Sequence, residues 1–194
     1  MSFLEFANDP IIRVSRRRFI GSGLLLSGAA VALLSGNEAL AADSKAGKSA
    51  KESDIRILNT ALGAELEAIA AYQVGAESGL LQKPVLDLAV TFQGHHKEHA
   101  DLLAKTIEKL GGKPAVAKAM YNFPVEQLTS QAEVLKFAAK LEQGAVSAYL
   151  GAVPLFGNRD LAKAAASILG DEAMHWAILR QALGEVPVPS AFMS

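Results

Sequence analysis

The sequence predicts an all-α protein, a four-helix bundle with one long crossover between its second and third helices. Three observations predict it. Hydrophobic residues make up 51% of the chain and aromatics only 6%, with Ala and Leu supplying much of the apolar fraction. Both are strong helix formers, whereas strands favour β-branched and aromatic side chains. Apolar residues recur at helical spacing in four segments, and no segment alternates strictly between apolar and polar. The connections read as short, long, short, which is how a bundle with a crossover is joined.

Composition also excludes whole classes of function. Among 194 residues, 19 Lys and Arg face 20 Asp and Glu, a net charge of -1. That argues against a nucleic-acid binder relying on bulk basicity. There is no cysteine, so disulfides, thiolate zinc sites, iron–sulfur clusters and a cysteine nucleophile are out. No glycine-rich loop follows a strand, and no G-x-S-x-G elbow is present.

The first 41 residues read as a signal peptide. Ser15-Arg16-Arg17-Arg18-Phe19-Ile20 precedes an uncharged apolar run, Gly21 to Leu34, and then Ala39-Leu40-Ala41. The arginine segment resembles the twin-arginine (Tat) signal, S-R-R-x-F-[IL], at every fixed position. The resemblance implies export through the Tat translocase to the periplasm, often with a cofactor already inside the folded protein. An uncleaved membrane anchor is the alternative, but the apolar run falls short of the roughly 20 residues a spanning helix needs. Cleavage after Ala41 leaves residues 42–194, with 15 basic and 17 acidic side chains.

Residues 42–52 read as a flexible Lys-, Ser- and Ala-rich leader. The bundle itself is expected over 53–183. Ser53 is an N-cap candidate for the first helix, which runs to about Gly79 with Leu58, Leu62, Ile69 and Tyr72 on one stripe. Pro84 suits the first turn of the second helix, which stops at Gly111-Gly112. Residues 112–129 form the crossover and carry Pro114, Pro124 and Tyr121-Asn122-Phe123. Ser130 and Glu133 form a capping box at the start of the third helix, which ends near Pro154 to Gly157. Asn158 caps the fourth helix, which runs to about Leu183. The tail, 184–194, is expected to be extended around Pro187 and Pro189.

The two halves repeat. A shift of 77 residues carries Leu58, Glu65 and Tyr72 of the first helix onto Leu135, Glu142 and Tyr149 of the third. A shift of 76 carries Gly94, His99 and Leu103 of the second onto Gly170, His175 and Leu179 of the fourth. Alanine matches mean little in an Ala-rich chain, but the Glu–Tyr pair and the histidine are harder to obtain by chance. The halves therefore read as copies of one helical hairpin, related by a pseudo-two-fold axis.

Polar residues interrupt the apolar stripes at matching levels. On the fourth helix, Glu172 and His175 sit among Leu161, Ala165, Ile168, Leu179 and Leu183. On the second, His96 and His99 sit among Val85, Ala89, Phe92, Leu103 and Ile107. Glu65 and Glu142 lie on the stripes of the first and third. A buried carboxylate must be paired, protonated or on a metal. Six metal-competent side chains are thus expected to converge: Glu65, His96, His99, Glu142, Glu172 and His175. Carboxylate and imidazole ligands suit iron, manganese or zinc.

This constellation resembles the ferritin-like superfamily of dimetal carboxylate bundles, in its exported bacterial form. That family takes one Glu from each of two helices and a Glu-x-x-His from each of the others. Glu65 and Glu142 match the single glutamates, and Glu172-Ala173-Met174-His175 matches one Glu-x-x-His in full. Tyr121-Asn122-Phe123-Pro124 in the crossover also resembles that group. The resemblance implies one or two transition-metal ions, iron first with manganese or zinc as alternatives, used for redox chemistry with oxygen or peroxide. It also implies a separate electron donor, since no cysteine-rich module is present. Metal storage without turnover, and a structural bundle with a relict site, are the alternatives. The apolar fraction could support a homodimer. One departure stands out: His96 replaces the second family Glu, leaving three carboxylates against the charge of two divalent ions. Glu98 and Glu67 are expected on solvated faces and His95 at the edge of the site or on the surface. Tyr72 and Tyr149 are expected in the core with their hydroxyls near the site, and Trp176 packing against a neighbour.

Overall fold

The computed structural model describes residues 48–193. The signal segment, 1–41, and the first part of the expected leader lie outside the described residues. Four helices follow in order: α1 Lys48–Glu77, α2 Lys83–Lys109, α3 Gln131–Ala152 and α4 Arg159–Ala182. Single 3-10 turns occupy Val125–Gln127 and Val153–Leu155, and no strand occurs among the described residues. α1 packs along α2 and α3 along α4, with a lighter contact between α1 and α3. The all-α bundle of two hairpins joined by a long crossover is therefore what the sequence predicts. No helix among the described residues is long and apolar enough to cross a membrane.

The helix ends follow local chemistry. Asn158 accepts from the N–H groups of Asp160 at 2.8 Å and Leu161 at 3.4 Å, satisfying donors that the first turn leaves open. Ser130 accepts from Glu133 N at 3.3 Å. The Glu133 carboxylate turns to Lys136 Nζ, 2.8 Å away, so half of the expected capping box forms. Gly111 ends α2 at φ 76°, a left-handed conformation in which a Cβ is strained.

One boundary is corrected. The first helix already includes Lys48, five residues before Ser53, so 48–52 are helical and do not belong to a flexible leader. Ala, Lys and Glu in this stretch are good helix formers, and neither Gly nor Pro interrupts it. It also packs: a Cβ on Gly157 would lie 3.3 Å from that of Ala50. Ser53 is consequently interior to the helix.

Apolar side chains form two clusters. Leu58, Leu62, Leu103, Ile107 and Ile168 belong to one, and Phe92, Leu135, Ala139 and Leu179 to the other. On each helix the polar stripe residues fall in sequence between members of these two clusters. Trp176 packs against the second cluster and has the Arg180 guanidinium over its ring at 5.3 Å.

The repeat extends to the connections. Buried Asp54 accepts from Gly157 N at 2.8 Å and Asn158 N at 3.1 Å, tying α1 to the α3–α4 turn. Gln131, its equivalent in the second hairpin, accepts from Gln82 N at 2.8 Å in the α1–α2 turn. Gln82 is itself the equivalent of Asn158. Each hairpin thus holds the turn of the other. Asp54→Ala leaves two backbone donors without their acceptor and is expected to lower stability by about 1–3 kcal/mol. Gln131→Ala frees one exposed donor and should cost clearly less, and urea unfolding of both variants checks the order.

Candidate metal centre

All six predicted residues meet at one level of the bundle. Glu65, His96, Glu142, Glu172 and His175 are each at most 2% exposed, and the His99 side chain is mostly buried. Helical spacing explains the convergence, since His96 and His99, like Glu172 and His175, are three residues apart and share a face.

The arrangement keeps the pseudo-two-fold. Glu65 accepts from the Tyr149 hydroxyl at 2.6 Å, and Glu142 accepts from the Tyr72 hydroxyl. Each tyrosine therefore steadies the glutamate of the opposite hairpin, as its expected position near the site suggested. On one side of the cluster, His99 Nδ1 lies 3.5 Å from Glu65 Oε2 and 3.2 Å from Glu172 Oε1. On the other, His175 Nδ1 lies 3.4 Å from Glu142 Oε1 and 3.6 Å from Glu172 Oε2. Glu172 thus offers one oxygen to each half. His96 spans both halves as well, with Nδ1 2.8 Å from Glu65 and Nε2 3.3 Å from Glu142. Its ring stands where a second bridging carboxylate would be. Phe92 stacks on His175 with ring centroids 4.0 Å apart and fixes that ring.

Two groups of four ligand atoms are close enough to hold an ion. One comprises Glu65, His96, His99 and Glu172, and the other His96, Glu142, Glu172 and His175. They share His96 and Glu172.

Sequence reasoning missed Asp171. Its Oδ2 lies 3.3 Å from His99 Nε2 and 3.3 Å from His175 Nε2, against the ring nitrogens that face away from the centre. Such outer carboxylates fix the tautomer and orientation of a ligating imidazole. Asp171 also adds a fourth carboxylate to the three glutamates of the cluster. A signal existed, because Asp171 is one turn before His175 and is the repeat equivalent of His95. His95 does lie at the edge, half exposed, but its Nδ1 is 2.8 Å from His175 Nε2. Glu98 is exposed as expected, and Glu67 is half-buried. Gln93, also unpredicted, is buried and bonds Ile69 O at 2.9 Å and Gln73 at 2.8 Å.

The ferritin-like domain family matches residues 53–185. The chain belongs to that family. Among solved structures, a conserved hypothetical protein from Mycobacterium tuberculosis is similar, at 24% identity and a TM-score of 0.64. The match covers 74% of this chain and 99% of that one, and shows the shared fold. No curated protein sequence matches.

The donor set of this ferritin-like domain fits a transition metal. His99 Nδ1, His175 Nδ1 and both oxygens of Glu172 are buried with no hydrogen-bond partner. Buried polar atoms are otherwise paired almost without exception. These four atoms face one another across the centre, and imidazole with carboxylate is the chemistry that iron, manganese and zinc accept.

Protons occupy this space in the metal-free protein. Burial pushes the Glu172 carboxyl up to about 7, against the pull of His175 and His99. Burial pulls His99 and His175 down, but the facing carboxylates outweigh it and hold both at about 9. His96 is also raised well above the usual imidazole range, burial being overcome by Glu142 and Glu65. Burial likewise opposes, but does not prevent, the lowering of Glu65 and Glu142 by their imidazole neighbours. Tyr72 and Tyr149 are held well above the usual phenol range, first by burial and then by their glutamate partners, so both stay hydroxyl donors.

The sign of the pH dependence follows. His99 and His175 are raised from 6.5 to about 9, so their stabilisation is present below 6.5 and lost as pH rises to 9. Glu172, raised from 4.5 to about 7, favours the folded state only while protonated. All three act in one direction. The thermal midpoint of metal-free protein is expected to fall between pH 6 and pH 9, and added divalent metal should reverse the fall because ions replace the lost protons. A scanning-calorimetry series at several pH values, with and without metal, checks both parts.

Proposed function

We propose that this protein is an exported metal-binding bundle whose buried cluster holds transition-metal ions, iron first, for redox chemistry with oxygen or peroxide. The observation that carries the reading is Glu172. Both of its oxygens are buried without a hydrogen-bond partner, each facing the unpartnered Nδ1 of one histidine. In the metal-free protein that carboxylate is compensated only by protons, its own and those of the facing imidazoles, and a cation between the two halves would take their place.

A reduced transition ion held there would supply one-electron chemistry with oxygen or peroxide. The chain's own residues bind and orient. Glu65 and Glu142 are steadied by the tyrosine hydroxyls, so their oxygens stay aimed inward. Asp171 stands against the Nε2 atoms of His99 and His175, which leaves both Nδ1 atoms for the centre. The apolar clusters above and below exclude water and strengthen every charge interaction between them. Twin-arginine export fits this reading, because Arg16 and Arg17 would send a folded, metal-loaded domain outward.

Elemental analysis of reconstituted protein tests the binding. One to two ions per chain are expected, and Glu172→Ala and His175→Ala should each lose most of the metal while circular dichroism stays helical. A content below about 0.2 ions per chain would sink the reading, since a site with this donor set should fill at neutral pH. Oxygen uptake by the ferrous form then separates turnover from storage. For export, the double substitution Arg16→Lys and Arg17→Lys is expected to retain the protein inside the cell, as read by fractionation. Unchanged export would rule out the twin-arginine route.

A further inference from the structure

His175 has two faces. Its Nδ1 looks into the buried centre, and its Nε2 looks away from it, toward the partly exposed His95 and Asp171. There it meets His95 Nδ1 at 2.8 Å and Asp171 Oδ2 at 3.3 Å. His95 Nδ1 lies 3.3 Å from the same Asp171 oxygen. The three atoms form a triangle with edges of 2.8, 3.3 and 3.3 Å. A divalent ion bonded at about 2.0–2.1 Å in tetrahedral geometry has ligand–ligand edges of about 3.3–3.4 Å. Two of the three edges already match.

A hydrogen bond accounts for one edge of the triangle, His95 Nδ1 with His175 Nε2, but not for the two edges that meet at Asp171. Asp171 Oδ2 is ringed by His95, His99 and His175 nitrogens, each at 3.3 Å. Charge-assisted hydrogen bonds run shorter, at about 2.7–2.9 Å. The oxygen is thus surrounded by imidazoles at a distance that suits a shared cation better than a shared proton. Access is open, because the side chains of His95 and Asp171 are 41% and 24% exposed.

We infer that His95 Nδ1, Asp171 Oδ2 and His175 Nε2 form a second, outer site that takes one divalent transition-metal ion from solvent. Two imidazoles and one carboxylate select zinc, cobalt or ferrous iron over magnesium or calcium. Three protein ligands leave a fourth position for water. The outer ion is linked to the buried centre through one imidazole, because a ring that holds ions at both nitrogens has given up its last N–H. The outer site stands on its own three atoms and goes beyond the redox reading.

Cobalt titration of metal-stripped full-length protein tests it, followed by visible absorption and by metal content after desalting. The parent is expected to hold one equivalent more than His95→Gln, and Glu142→Gln should keep the His95-dependent equivalent. Equal cobalt in the parent and His95→Gln overturns the inference. Should His95→Gln fail to fold, anomalous diffraction from zinc-soaked parent crystals decides. A peak bonded to His95, Asp171 and His175 supports the site, and its absence there overturns it. A parent that holds only the His95-dependent equivalent would remove the buried centre and leave the outer site standing. A parent whose cobalt is all independent of His95 does the reverse.

Discussion

Three glutamates buried in the middle of a four-helix bundle are the constraint from which the rest of this structure follows. A carboxylate cannot leave water without a partner, and each of the three is at most 2% exposed. The partners are other polar groups that must be buried with them: two tyrosine hydroxyls and three imidazoles. Those groups in turn need rigid elements to hold them, which is why they sit on helix stripes and not on loops. The apolar core divides into two clusters, and on every helix the polar stripe lies in sequence between members of the two.

The pseudo-two-fold is obeyed where it costs nothing and broken where charge is at stake. Glu65 with Glu142, Tyr72 with Tyr149 and His99 with His175 are true equivalents. So are Asp54 and Gln131, which fasten the opposite turns. The equivalence fails at His96 against Glu172, and at His95 against Asp171. In both cases the first hairpin supplies the base and the second the acid. At both positions the equivalent residues approach each other, Glu172 Oε1 lying 3.6 Å from His96 Nδ1 and Asp171 Oδ2 3.3 Å from His95 Nδ1. Two like charges at such distances would repel, and alternating acid with base removes that repulsion.

Most of this could be read from the chain alone. Gly111, Asn158 and Ser130 mark helix ends by conformation and side-chain capping, which are local effects. The six central residues were legible because a polar residue on an apolar stripe must point inward. What escaped was decided by tertiary contact or by side-chain reach. Residues 48–52 are good helix formers, but what holds Ala50 against the turn at Gly157 is a contact that no local pattern reveals. Asp171 and His95 lie one position off the stripe, where the helical wheel assigns them to the flank. They join the site because an imidazole is long: His99 and His175 use one nitrogen at the centre and carry the other outward to meet them.

The uneven charge of the two hairpins explains how such a cluster can form before any ion arrives. The first hairpin brings Glu65 and three histidines, and the second brings Glu142, Asp171, Glu172 and one histidine. The first is therefore the cationic partner whenever its imidazoles are protonated, and the second is the anionic one. His96 reaches Glu142 and His99 reaches Glu172 across the interface, while each tyrosine crosses to the other hairpin's glutamate. Docking the hairpins and assembling the donor set are then one event. In the metal-free protein, protons on the facing imidazoles and on Glu172 compensate the cluster. A chain without cysteine is left chiefly with Glu, Asp and His for holding a transition metal.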